Sequence, residues 1–428
     1  GVLEYFMILL TVLELSNRNG PHATASPPYQ YGSSVFPSPS PSLSLFLSPS
    51  PSPSPLPPPP QWTFDVMKFG AVGDGKTDDS TAFELTWKAA CKGISDNGVK
   101  ISVPIGKKFL VSPIKFEGPC LCPNITFEIL GSIIAQPKSA WKNKRSSEWI
   151  MFNRVEKLNV VGNEEGLIDG QGESWWLEAM IFSNCKNLEI SGLKHINSPK
   201  FHISITDCHY ANISSLQIIA PPLSPNTDGI DIASSSNIFI HNSTIKTGDD
   251  CIAIKGGTSN TTISEIVCGP GHGISIGSLG QHGKHDEVEG IKVLNCTLNG
   301  TDNGVRIKTW QGGSGFARNI TFSNINFTAV ENPIVIDQFY CPHKICNNKL
   351  SAVKVSNVSF VGIRGTSYKW KDATVSIRCS DTVPCTDILI DNVHITSTVP
   401  RQPVSAVCIN ARGSVNDTSS PIVNCLKY

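Results

Sequence analysis

A short β-branched stretch returns at nearly constant spacing along this chain, and no other feature narrows the fold so far. In "LEISGLKHI", "NISSLQII", "NIFIHNSTI", "TTISEIVC", "IKVLNCTLN" and "NITFSNINF" the residues Ile190, Ile213, Ile240, Ile263, Val293 and Phe322 stand at equivalent places, separated by 23, 27, 23, 30 and 29 residues. One apolar strand per unit of that length is the period of a solenoid. So short a unit cannot bury its own apolar face, so successive coils must stack and share one core. A sandwich would instead show turn signals every 8 to 12 residues, roughly, with antiparallel hairpins. The expected fold is all-β, a parallel β-helix.

Upstream of the repeats, "FDVMKFGAVGDGKTDDSTAFELTWKAAC" reads as a short strand, a Gly/Asp turn and a helix over 79–92 that presents Phe83, Trp87 and Ala90 on one face. That helix is expected to cap the N-terminal end of the solenoid. The acids of "GDGKTDD" read as turn and cap residues, and so does Asp231 in "DGIDI". From Ser26 to Pro60 the chain is Ser/Pro repeats, which bury no core and predict an extended, polyproline-like stalk. Residues 1–25 carry "YFMILLTVL", about as long as the apolar region of a signal peptide and too short to span a bilayer. No Lys or Arg precedes it, so it reads as a truncated signal peptide, and the folded domain is expected over 61–428.

Charge excludes one large class of function. The 428 residues hold 35 Lys and Arg against 35 Asp and Glu, so there is no basic footprint for nucleic acid and no second membrane candidate. An anionic ligand would have to be met by a few cations gathered in one place. The 14 cysteines form no paired C-x-x-C elements, which disfavours zinc and favours disulfides in an oxidising compartment. Ten N-x-[ST] sequons point the same way, toward a secreted glycoprotein, although an Asn- and Thr-rich composition alone would produce some of them.

The chemistry gathers around "TGDDCIAI", where Asp249 and Asp250 stand side by side at the mouth of a strand. Alone, Gly-Asp-Asp is ordinary turn chemistry. The solenoid changes its meaning, because equivalent positions on neighbouring coils lie about 4.8 Å apart. Asp228 in "NTDGIDI" precedes Asp249 by 21 residues, and His272 in "GPGHGISIGSLG" follows Asp250 by 22, each close to one coil. Further on, "GVRIKTW" offers Arg306 and Lys308, which share a face of one strand because they are two residues apart. Three carboxylates, an imidazole and two cations are therefore expected in one patch. A turn or bulge beside Gly248 must bring both adjacent acids to the same face. Close carboxylates cannot all ionise comfortably, which raises at least one pKa and suits a general acid beside a general base. Such pairs cleave glycosidic bonds.

These motifs, with "FGAVGDGKTDD", "GQGESWW" and "NPIVIDQFYC", resemble the polygalacturonases, the pectin-hydrolysing glycoside hydrolases of family 28, and look most like the plant members; the similarity runs from Phe64 to Cys425. The resemblance implies a right-handed β-helix and an inverting, metal-free and cofactor-free hydrolase of the α-1,4 linkages of homogalacturonan. The enzyme would be a secreted monomer in the cell wall. It implies Asp249 as general acid, Asp228 and Asp250 as the carboxylates that activate water, and His272 as support for the acid. Asn226, Arg306, Lys308 and Tyr340 would bind substrate, and Cys251 with Cys268 would bridge adjacent coils. Carboxylates one coil apart would lie near 5 Å, roughly the separation that normally marks retention rather than inversion. The chain departs from the pattern after "GQGESWW", where Trp176 runs directly into Leu177 without the family's longer polar loop. Two other readings share these features: a calcium-dependent pectate lyase and a non-catalytic pectin-binding wall protein.

Overall fold

The computed structural model describes residues 61–140, 148–172, 178–342, 346, 349–368, 373–416 and 419–426. The signal-like region, the Ser/Pro stalk and the Trp176–Leu177 junction lie outside the described residues. Within them every paired strand runs parallel to its neighbours, in a 21-stranded sheet and an 11-stranded sheet that the chain visits in turn as it winds. The two sheets are the faces of a parallel β-helix.

The aligned apolar positions prove to be true neighbours. Ile190 pairs with Ile213, Ile213 with Ile240, Ile240 with Ile263, Ile263 with Val293, and Val293 with Phe322. All of them are fully buried, in strands whose side chains alternate inward and outward. Each buried aliphatic side chain of this kind contributes about 1.5–3 kcal/mol as an upper bound, so the ladder is the main source of the coil-to-coil attraction.

Along the coils, within the long strands as well as between strands, the chain bends at positions that need a left-handed residue, and asparagine supplies many of them. Asn187, Asn237, Asn242, Asn260, Asn295, Asn319 and Asn357 all have φ near +50°, a region Asn tolerates better than most side chains. Asn242, Asn260, Asn295, Asn319 and Asn357 are also sequon asparagines, so part of the sequon count reflects this bend geometry.

The helix Ser80–Lys92 closes the N-terminal end, as its pattern predicts. Phe83 and Trp87 are buried against Phe109, Phe116, Phe127 and Phe152, and the Cys91–Cys120 disulfide ties the helix to the first coils. Asp79 occupies the N-cap position but does not cap the helix. Its carboxylate turns back and accepts from the amides of Val72 and Gly73, at 2.7 and 3.2 Å. Asp74 is the turn residue expected of it, accepting from the amides of Lys76 and Thr77.

Five disulfides form among the described residues, Cys251–Cys268 among them. Cys122, Cys185, Cys208 and Cys296 remain buried free thiols inside the coil stack, so four cysteines belong to the packing rather than to a disulfide framework.

Candidate active site

The site lies on the 11-stranded sheet, where the strands Ile230–Ala233, Ile252–Ile254, Ile274–Leu279, Asn303–Thr309 and Asn332–Asp337 are consecutive neighbours. The side chains of the site come from the outward faces of these strands, from the residues just before them and, for Tyr340, from just after the last of them. Ile230 pairs with Ile252 and Ile252 with Ile274, which puts Asp228, Asp250 and His272 in one column, each two residues before its paired isoleucine. The register thus sets Asp250 rather than Asp249 directly beside Asp228. Asp249 is offset by one residue in the turn, and the amide of His272 donates to its carbonyl at 2.7 Å.

Asp250 forms the floor. It is 1% exposed and its two carboxylate oxygens are both engaged: Oδ1 accepts from Ser275 Oγ at 2.8 Å and Arg306 Nη2 at 2.9 Å, and Oδ2 from Lys308 Nζ at 2.7 Å. Burial opposes ionisation of this carboxyl, but Lys308 and Arg306 outweigh it and hold the group well below the usual carboxylate range. Ser275 also accepts from Arg306 Nε at 3.1 Å, so one guanidinium grips a serine and a carboxylate together. Arg306 and Lys308 share a face and reach one groove as their spacing predicts. Their first task is to neutralise Asp250.

Asp249 and His272 form the rim. His272 Nδ1 stands 2.9 Å from Asp249 Oδ1, and its Nε2 lies 3.4 Å from Asp302 Oδ2. A ring with a carboxylate at each nitrogen favours the imidazolium. The bond to Asp249 raises the pKa of His272 above its ordinary value, against the opposing effect of burial. The reciprocal effect lowers Asp249: burial alone would push it up, but the His272 bond prevails.

Asp228 behaves oppositely. Burial, reinforced by the charges of Asp231, Asp249 and Asp250, drives its pKa far above the carboxylate norm. His202 anchors its backbone: the His202 amide donates to the Asp228 carbonyl at 2.9 Å, and ring Nδ1 lies 3.2 Å from the same oxygen. The Ser198 amide donates to His202 Nε2, so Nδ1 carries the proton, and burial holds this imidazole down to about 4.

Asn226 is exposed, with a left-handed φ of 55°, on the turn before Asp228. Tyr340 is half-buried at the other end, its ring 5.4 Å below Lys308 Nζ and edge-on to Trp310. Asp231 corrects the turn-and-cap reading. It lies inside the strand Ile230–Ala233, is 5% exposed, and pairs with Lys255 Nζ at 3.7 Å. An outward strand position beside the acids keeps it in the site. The residues that sequence reasoning missed are Asp302, Ser275, Lys255 and His202. Asp302 was within reach, since it precedes the strand Asn303–Thr309 much as His272 precedes its own, 30 residues earlier.

Donor atoms of Asp249, Asp250 and His272 lie within 4.8 Å of one another, a cluster compact enough for a cation. Both Asp250 oxygens already face protein cations and Asp249 Oδ1 faces His272, so a metal would have to displace Lys308 or Arg306. The donors present fit an acid–base cluster better than a metal centre.

Known proteins are similar to this chain in architecture and in sequence. By fold, the chain is similar to an endo-xylogalacturonan hydrolase from Aspergillus tubingensis, with a TM-score of 0.73 and 23% identity over 84% of this chain and all of that one. It is similar also to a polygalacturonase from Erwinia carotovora, with a TM-score of 0.66 and 23% identity over 86% of this chain and all of that one. In sequence it is 48% identical to a probable polygalacturonase of Arabidopsis thaliana, over 85% of this chain and 80% of the relative. It is 44% identical to a polygalacturonase of Chamaecyparis obtusa, over 82% of this chain and 70% of the relative. The profile of glycosyl hydrolases family 28 matches residues 91–419, a span that takes in every carboxylate and cation of the cluster, and the chain belongs to that family.

Proposed function

We propose that this protein is a polygalacturonase, which hydrolyses the α-1,4 linkages between galacturonate residues of de-esterified pectin. The observation that carries the reading is the division of labour among the acids: a carboxyl sharing a proton with an imidazole, beside a carboxyl of raised pKa and a third kept ionised. Family membership and the polygalacturonase relatives supply the substrate class.

Asp249 is the general acid in this proposal. Its side chain is 23% exposed against 1% for Asp250, so it can reach a substrate oxygen. The proton it delivers is held by the His272–Asp249 pair, and moves onto the leaving oxygen as the glycosidic bond breaks. Asp228, once deprotonated, takes a proton from the water that attacks the anomeric carbon, and Asp250 supports that step from below as the fixed charge that keeps Arg306 and Lys308 in place. Proton exchange with solvent then restores Asp228 and the His272–Asp249 pair. Arg306 uses Nε and Nη2 on Ser275 and Asp250, and its other N–H groups are the ones it offers to a substrate carboxylate. Asn226 and Tyr340 bind sugar at the two ends of the cluster. The product is the inverted anomer. The protein acts outside the cell, a reading supported by the disulfides and sequons. Among the described residues no helix is long and apolar enough to cross a membrane.

The test is hydrolysis of polygalacturonate by the purified protein, with the first-formed anomer read by NMR. New reducing ends of inverted configuration, unaffected by chelator, support the proposal. An unsaturated product absorbing in the ultraviolet and lost with chelator would mean a lyase, and binding without cleavage would mean a wall-binding protein.

A further inference from the structure

With Lys308 and part of Arg306 engaged by Asp250, the cluster has N–H groups of Arg306 left for one substrate carboxylate, and a polyanion that spans the groove needs a further cation. Arg306 and Lys308 have side chains only 14% and 7% exposed, and each lies within 3 Å of the Asp250 carboxylate. Lys255 is different. Its side chain is 33% exposed, and its one ion pair among the described residues is a loose contact to Asp231 at 3.7 Å, beyond hydrogen-bonding distance.

Lys255 follows directly on the strand Ile252–Ile254, two residues past Ala253, and so faces the same side of the sheet. Along that side Asp231, Ala253, Ser275 and Arg306 are successive cross-strand partners. The two residues between the acid and the arginine are small and buried, so the charged side chains of the neighbouring positions lie over them. Gly277 follows Ser275 by two residues, and a Cβ there would meet the Lys308 carbonyl at 2.1 Å, so this position admits no side chain. The Lys255 ammonium reaches back over the strand Ile230–Ala233, toward Asp231 and the Phe201 ring, whose centroid is 6.0 Å away. Lys200 Nζ lies 4.3 Å from the same ring. This second cationic group lies on the Asp228 side of the acids, whereas Arg306 and Lys308 reach Asp250 from strands further along the stack.

We propose that Lys255, backed by Phe201 and Lys200, is a second carboxylate-binding point of the groove, which takes a galacturonate residue on the Asp228 side of the acids while Asp231 holds the ammonium when the groove is empty. The inference rests on the polygalacturonate reading above. An arriving carboxylate can form the short, charge-assisted bond that Asp231 does not. Asp231 is held in a strand and 7% exposed along its side chain, so it cannot follow the ammonium outward.

The experiment measures binding apart from turnover. Calorimetry on the Asp249→Asn protein, with and without Lys255→Gln, would use a galacturonate oligomer long enough to span the groove and its methyl-esterified counterpart. Lys255→Gln is expected to weaken the acidic oligomer about tenfold, the effect of one partly solvated charge-assisted bond, and to leave the ester unchanged; Lys255→Arg restores the affinity. In the active protein the same change raises KM on polygalacturonate about as much and spares kcat. Unchanged affinity overturns the proposal. So does a fall in kcat with an acid limb displaced to higher pH and KM intact, since Lys255 would then serve only to tune Asp228. Lys255-dependent binding by a protein that cleaves nothing would refute the hydrolase reading and keep this one. Absence of any binding would refute both.

Discussion

Asp249 and Asp250 are consecutive, yet they belong to two regions with opposite physics. Asp250 is on the floor, dry and saturated by Ser275, Arg306 and Lys308. Asp249 is on the rim, partly open to the groove and joined to His272, which is itself shared with an exposed Asp302. The floor is held by side chains from the interior of strands, where the ladder fixes every position. The rim is held by residues of the turns just before strands. Charge is locked where the backbone is most regular, and a proton is kept movable where it is not.

The difference can be attacked first at the floor. Asp250→Asn leaves Lys308 and Arg306 facing a neutral amide in a buried place, and removing one partner of a buried pair costs about 3–5 kcal/mol. The urea midpoint should fall accordingly and activity should vanish. An unchanged midpoint would mean that the floor is not what holds these cations.

At the rim, Asp249→Asn should cut kcat by about 10²- to 10⁴-fold, the usual worth of general acid catalysis, while the urea midpoint stays close to wild type. Equal destabilisation by the two substitutions would erase the distinction between floor and rim.

A pH profile of kcat/KM sharpens the comparison. Asp228 must lose its proton to act as base, so activity should rise as pH climbs through its pKa, which lies above the ordinary 3.8. His272 must keep its proton, so activity should fall as pH rises through a pKa above the ordinary 6.5. Both limbs are therefore shifted upward, and an acid limb at or below the ordinary carboxylate value would contradict the burial argument for Asp228.

The smallest effect is expected at Asp302. Its side chain is 56% exposed and 3.4 Å from His272 Nε2, so Asp302→Asn should lower the alkaline limb by less than about one pH unit and leave activity on the acid side intact. A large loss of activity at every pH would mean that Asp302 handles substrate rather than His272.

Part of the site could be read directly because the solenoid converts counting into distance. The 22-residue step from Asp250 to His272 is one coil length, the 21-residue step from Asp228 to Asp249 falls one residue short of it, and the two-residue spacing of Arg306 and Lys308 is a strand face. What resisted reading were side chains whose partners come from neighbouring coils at unequal loop lengths. Ser275 reads as a plain strand serine until its pairing with Arg306 and Ala253 is known. Asp231 has the local look of turn chemistry, and only its pairing with Ala253 makes it an in-strand acid beside Lys255. His202 contacts the backbone of Asp228 across 26 residues, and nothing in "NSPKFHI" announces it.

From the sequence alone came the period, the apolar ladder from Ile190 to Phe322, the capping helix and the list of acids, because each depends on local spacing and on a side-chain alternation that the backbone enforces. The protonation pattern of those acids was decided by tertiary structure. Three chemically identical carboxyls end with Asp228 raised and Asp249 and Asp250 lowered, since burial, the reach of Lys308 and Arg306, and the placement of His272 differ among them by a few ångströms. Such differences depend on which coil lies beside which, and the sequence records only the order of the coils.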